Sequence, residues 1–111
     1  MDSRKLEELT AEWVNEANES DLGLWWLADD LRDAIGPSAS EEAICSTCIE
    51  LLRPLLASGQ LRAVDLLEGG KIEVWPPDTE SSLERIRREW LKLGRKPTLG
   101  DVVWFIGTRK P

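Results

Sequence analysis

Cys45-Ser46-Thr47-Cys48 is a C-x-x-C spacing, which does redox chemistry when a thiol of lowered pKa stands at an exposed helix start after a strand. Here both cysteines fall on the apolar side of a helical pattern preceded by another helix, so the pair is read as packing. Two thiols in a chain without histidine cannot complete the four-ligand shell of a structural zinc or a typical iron–sulfur cluster. The missing histidine also removes the Ser-His-Asp and Cys-His nucleophile pairs and any imidazole base. Carboxylates remain. Asp29, Asp30 and Asp33, or Asp65 with Glu68, have the spacing to hold Mg²⁺ or to act as acid and base, yet no Gly-rich phosphate loop or nucleophile elbow accompanies them. The expectation is a protein that is not an enzyme and uses no metal or cofactor.

Arg85, Arg87, Arg88, Lys92, Arg95 and Lys96 form a basic cluster of the kind that binds nucleic acid. Arg85 with Glu89 and Glu84 with Arg88 are four apart on a helix, so much of this charge is compensated locally, and the whole chain is acidic with a pI near 4.6. Direct nucleic-acid binding is not expected.

A different pattern surrounds Trp26. At 100° per residue it falls about 150° from the centre of the Leu24/Leu31/Ile35 stripe, on the side that carries Asp29, Asp30 and Asp33. One reading packs Trp26 under a neighbouring helix or the carboxyl terminus. The other makes it the aromatic anchor of a binding surface with a carboxylate rim, which suits a basic partner. Glu8, Glu12, Glu16 and Glu19 lie opposite the Leu6/Trp13 stripe of the preceding helix and extend that acidic character. Trp75 is a second candidate anchor, because alternation puts it with Lys71 and Glu73 and opposite Ile72 and Val74, on a side expected to be exposed at a hairpin edge. Trp13, Trp90 and Trp104 occupy expected core positions, and Trp25 flanks the core stripe where it can stack with Arg32. The candidate partner-binding residues are therefore Glu8, Glu12, Glu16, Trp26, Asp29, Asp30, Asp33 and Trp75.

These residues must be positioned by elements legible from spacing. Leu6, Leu9, Trp13 and Ala17 predict a helix from Ser3 to about Asn18. A second helix is capped by Asp21 and stopped by Gly36-Pro37. Ser38 or Ser40 opens a third, which runs to about Ala57, where Ser58-Gly59 ends it; Pro54 should kink its last turn. Two adjacent stripes, Ile44/Cys48/Leu51/Leu55 and Cys45/Ile49/Leu52/Leu56, predict that this third helix is central and buried. Gln60 to Leu67 and Lys71 to Trp75 flank Glu68-Gly69-Gly70 as a hairpin. A fourth helix begins near Glu80 and ends at Gly94. The run from Val102 to Ile106 predicts a strand buried on both faces in the middle of a small sheet. The expected fold is α+β: three helices, a β-hairpin, a helix and a strand, a winged-helix-like order with a small antiparallel sheet.

The 111 residues carry 21 acidic and 14 basic side chains, a net charge of −7, and suffice for one core, hence a single domain over 1–111. Hydrophobic residues at 41% and charged ones at 32% exclude a disordered or collagen-like chain. No apolar stretch approaches about 18 residues, so a cytoplasmic protein without membrane contact is expected. The charge is unevenly divided: residues 1–50 carry 13 acidic and 3 basic side chains, net −10, while residues 51–111 carry 8 and 11, net +3.

Ser58-Gly59-Gln60-Leu61-Arg62-Ala63, Glu73-Val74-Trp75, Arg85-Ile86, Glu89-Trp90, Leu93-Gly94-Arg95 and Gly100-Asp101-Val102-Val103-Trp104-Phe105, together with the Asp21 to Ile35 segment, carry a resemblance. The pattern resembles that of small acidic bacterial immunity proteins of contact-dependent growth inhibition and polymorphic toxin systems. That resemblance implies a non-enzymatic protein that binds one cognate toxin domain, often a ribonuclease or deoxyribonuclease, and blocks its active site; a monomer or weak dimer is expected, with a basic nuclease domain as its partner. Two alternatives stand beside it. A winged-helix-type transcriptional regulator would bind duplex DNA, and a homodimeric adaptor would self-associate through the same tryptophans.

Overall fold

Leu9, Trp13 and Ala17 are buried along one side of helix α1, Ser3–Glu19, in the computed structural model, which describes residues 3–36 and 38–107. The chain then extends through a two-residue strand β1, Leu22–Gly23, and enters α2, Leu24–Ile35. A strand this short shows no alternation and is invisible to periodicity. It also moves the helix start, so that Gly23 rather than Asp21 is the N-cap of α2. Gly36 closes α2 as expected, while Pro37 lies outside the described residues.

Helix α3, Glu41–Ala57, is opened by Ser40, whose hydroxyl accepts the Ala43 N–H at 3.1 Å, a cap worth about 1 kcal/mol. Six residues of its two stripes are buried and Leu51 and Leu56 are half-buried, because α3 packs against α2, against β2, Leu61–Leu66, and against α4, Thr79–Leu93. It is the central helix that its sequence predicts. β2 turns through a 3-10 segment, Glu68–Gly70, into β3, Ile72–Val74. Asp78 caps α4 by accepting the Ser81 N–H at 3.2 Å, which starts the helix at Thr79, and Gly94 ends it.

The last strand, β4, Trp104–Gly107, inserts between β1 and β2, giving an antiparallel sheet of order β1-β4-β2-β3. The fold is α+β. Helices come first and the hairpin follows, as expected, but the hairpin is the outer half of a four-stranded sheet rather than a free wing. Register sorts the side chains into two faces, since directly paired residues point the same way. Leu22, Phe105, Ala63, Leu61 and Gly107 turn toward the helices; Gly107 approaches Asn18 of α1 so closely that a Cβ would collide with it. The opposite face carries Trp104, Ile106, Val64, Leu66, Ile72 and Val74. Of these Val64 is buried, while Leu66, Ile72 and Val74 are exposed.

The Val102 to Ile106 run is not buried on both faces: Val103 and Phe105 enter the core, whereas Trp104 and Ile106 are half-buried on the open face. Trp75, expected to be exposed, is 5% exposed. Alternation separated it correctly from Ile72 and Val74, but the sheet turns the Trp75 side toward the helices. There the Arg85 guanidinium lies 3.8 Å over its ring.

Candidate partner-binding surface

Trp26 stands at the start of α2, 38% exposed, its ring tilted at 51° against that of Trp25 with centroids 5.8 Å apart. Trp25 in turn lies over Gly23 beside Trp104; a Cβ on Gly23 would meet the Trp25 ring at 2.6 Å and the Trp104 ring at 3.3 Å. A glycine in β1 thus lets two indoles close over the strand, and this stack supports Trp26 from below. Arg32, which can stack on Trp25 by spacing, reaches Glu41, its Nη1 donating at 2.7 Å.

Beside Trp26 runs a cleft of about 280 Å³ lined by Trp26 with Glu12, Asn15, Glu16 and Glu19 of α1. The tertiary structure therefore brings together Trp26, Glu12 and Glu16 of the nominated residues. It adds Glu19, already on the same helix face by spacing, and Asn15. Glu8 is exposed one turn closer to the amino end of α1 and does not line the cleft.

The aspartates of α2 behave differently from the expected rim. Asp33 is exposed and Asp29 half-buried, but Asp30 is turned inward and accepts the Trp13 indole N–H at 2.9 Å. Its carboxylate holds α1 to α2 and is occupied by an internal partner. The acid groups that line the cleft with Trp26 come across the helix pair from α1. No wheel of a single helix contains that juxtaposition.

Cys45 and Cys48 are buried and unbridged, and burial pushes the Cys45 thiol up to about 11 and the Cys48 thiol up as well, the reverse of what a reactive pair needs. Among the described residues no group of three or more Cys, Asp or Glu side chains is placed to hold a metal ion. Arg53, the cation that the third helix offers, is bound by Glu80 at 2.9 Å and by Glu50, which hold its pKa above the usual arginine value. Arg85 donates to Glu89 at 2.8 Å, and Arg87 reaches Ser46 at 3.0 Å and Glu42 at 3.6 Å. Arg85 and Arg87 of the basic helix are thus tied to neighbouring acids. Trp75 belongs to the wall of a cleft of about 490 Å³ between the end of α3 and the hairpin, where Arg62 is the one charged residue among the described lining residues.

Among the described residues no helix is long and apolar enough to cross a membrane. Comparison of the chain with protein-family models, curated proteins and solved structures returned no match.

Proposed function

We propose that the chain is a stoichiometric inhibitor of the immunity-protein type, which docks its acidic α1/α2 surface onto the basic cleft of a cognate toxin domain, a nuclease by preference. One observation carries this reading: an indole exposed at 38% beside a cleft whose other walls are three glutamates and an asparagine. That arrangement suits an incoming arginine or lysine, which would stack on the Trp26 face while its cation meets Glu12, Glu16 or Glu19. A nuclease cleft is rich in such cations because it binds polyphosphate, so an acidic plug both fills it and steers the encounter. Support also comes from the division of charge, with the negative excess concentrated in the half of the chain that builds this surface.

The test is calorimetric titration against the purified product of the adjacent open reading frame. Trp26→Ala and the Glu12→Lys/Glu16→Lys pair should each weaken binding by about tenfold or more, with association slowing as salt rises. Arg88→Ala, an exposed residue on α4, should leave binding unchanged. Equal losses at Arg88 and Trp26, or no effect of the charge reversal, would discard this surface.

A further inference from the structure

The hairpin presents a second feature that the acidic cleft does not use. β3 is the outer strand of the sheet, and no strand lies beyond it among the described residues. The Leu67 N–H donates to the Lys71 carbonyl at 2.7 Å and the Trp75 N–H to the Ala63 carbonyl at 3.0 Å. Residues 71, 73 and 75 therefore spend their backbone groups on β2, and by alternation Ile72 and Val74 turn theirs outward to the free edge. Their side chains add to the exposure, Ile72 at 49% and Val74 at 50%, with Leu66 at 38% beside them on the same sheet face. An edge of this kind is a template for another strand.

The sequence of the edge says which strand fits. Three antiparallel self-pairings place outward-turned residues opposite each other. A two-fold axis at Val74 sets Ile72 against Pro76, which has no N–H to donate. An axis at Glu73 sets that carboxylate against its own copy. An axis at Ile72 sets Lys71 opposite Glu73 twice, in the closely spaced non-hydrogen-bonded positions, with Ile72 against Ile72 between them. Lys71-Ile72-Glu73 is thus its own antiparallel complement, and the extended run stops at Gly70, whose φ of +78° leaves the strand. The long-range charge also permits the approach. α1 and α2 pack at the β1/β4 side of the sheet, and β1 is three strand spacings from β3, about 14 Å away.

We propose that β3 pairs with β3 of a second copy of this chain, in the register centred on Ile72, forming a weak isologous dimer with a continuous eight-stranded sheet. The interface is small, so association falls in the micromolar to millimolar range typical of transient contacts, about 10 µM to 1 mM. Both Trp26 clefts stay open in this dimer, making it bivalent for whatever that surface binds. The dimer does not depend on the proposed function.

Sedimentation velocity over a concentration series tests it. The wild type should pass from 12.5 kDa toward twice that mass. Lys71→Glu and Glu73→Lys should each weaken self-association by about tenfold or more, because each puts like charges opposite one another twice. The double variant Lys71→Glu/Glu73→Lys restores opposite charges and should dimerise again, and an equal mixture of the two single variants should form the mixed dimer. Both positions are exposed, and circular dichroism checks that each variant is folded. A wild type that stays monomeric up to about 1 mM overturns the proposal. So does a dimer indifferent to either charge change, a double variant that fails to recover, or a dimer abolished by Trp26→Ala.

Discussion

The indoles of this chain differ chiefly in what their N–H meets. Trp13 donates to Asp30 and Trp90 donates to Glu41 at 2.9 Å, so two buried tryptophans are each satisfied by a carboxylate from another helix. Glu41 also accepts from Arg32, which ties the last turn of α2, the start of α3 and the last turn of α4 through one side chain. Spacing marks Trp13 and Trp90 as core but says nothing of these partners, which come from 17 and 49 residues away. Asp30→Ala should destabilise the fold by about 1–2 kcal/mol, because the Trp13 N–H is left without an acceptor in a buried site. Asp33→Ala, at an exposed position, should change stability by less than about 0.5 kcal/mol. Urea denaturation separates the two, and equal small effects would remove Asp30 from its bridging role.

At the scale of elements, the segment joining α4 to β4 is held by one carboxylate. Asp101 accepts from Arg95 Nη1 at 2.8 Å, from the Thr98 N–H at 2.8 Å and from the Thr98 hydroxyl at 3.0 Å. The Arg95 hydrogen bond foremost, with the Thr98 N–H, lowers its pKa to about 2. Val102 follows at φ 67°, a strained backbone for a β-branched residue, and the chain then enters the middle of the sheet. Because the folded pKa lies below the ordinary value of 3.8, the unfolded chain binds more protons between the two. The Asp101 contribution is therefore complete above about pH 4 and is lost as pH falls toward about 2. Asp101→Asn should lower the urea midpoint at neutral pH, and the gap to wild type should close across that acid window. A gap independent of pH would assign the effect to packing. Alternation sorted Ile72 and Val74 from Trp75 without error, yet the side facing the core was the opposite of the one expected, since a strand pattern has no sign until helices cover one face.

Over the whole molecule, charge is partitioned along with the architecture. The −10 half supplies α1, β1, α2 and the start of α3, and the +3 half supplies the outer sheet edge and α4. In α4 Arg85 meets Glu89 and Asp65 and Arg87 meets Glu42, whereas Glu8, Glu12, Glu16 and Glu19 follow one another at three- and four-residue spacing along α1. Like charges at that spacing repel by some tenths of a kcal/mol each, and salt screens them. Raising salt toward 1 M, where the screening length is about 3 Å, should raise the Tm, and Glu12→Lys should remove much of that rise. A Tm that falls with salt in the wild type would mean that the attractive pairs of the second half outweigh this repulsion.

The sequence by itself determined the four helices, the hairpin, the stops at Gly36 and Gly94, the central place of α3 and the inner place of β4, and it narrowed the α3 cap to Ser38 or Ser40. Those features follow from apolar period and local capping, which act within a few residues. Only the tertiary structure decided that a two-residue β1 forms one edge of the sheet, that Trp75 faces inward, that Asp30 serves Trp13, and that the carboxylates lining the Trp26 cleft belong to α1. Each of these depends on which element lies against which, a matter of contacts between residues far apart in the chain. A helix wheel or strand alternation can sort side chains into faces, but the neighbour that covers a face is chosen by the packing of the whole core.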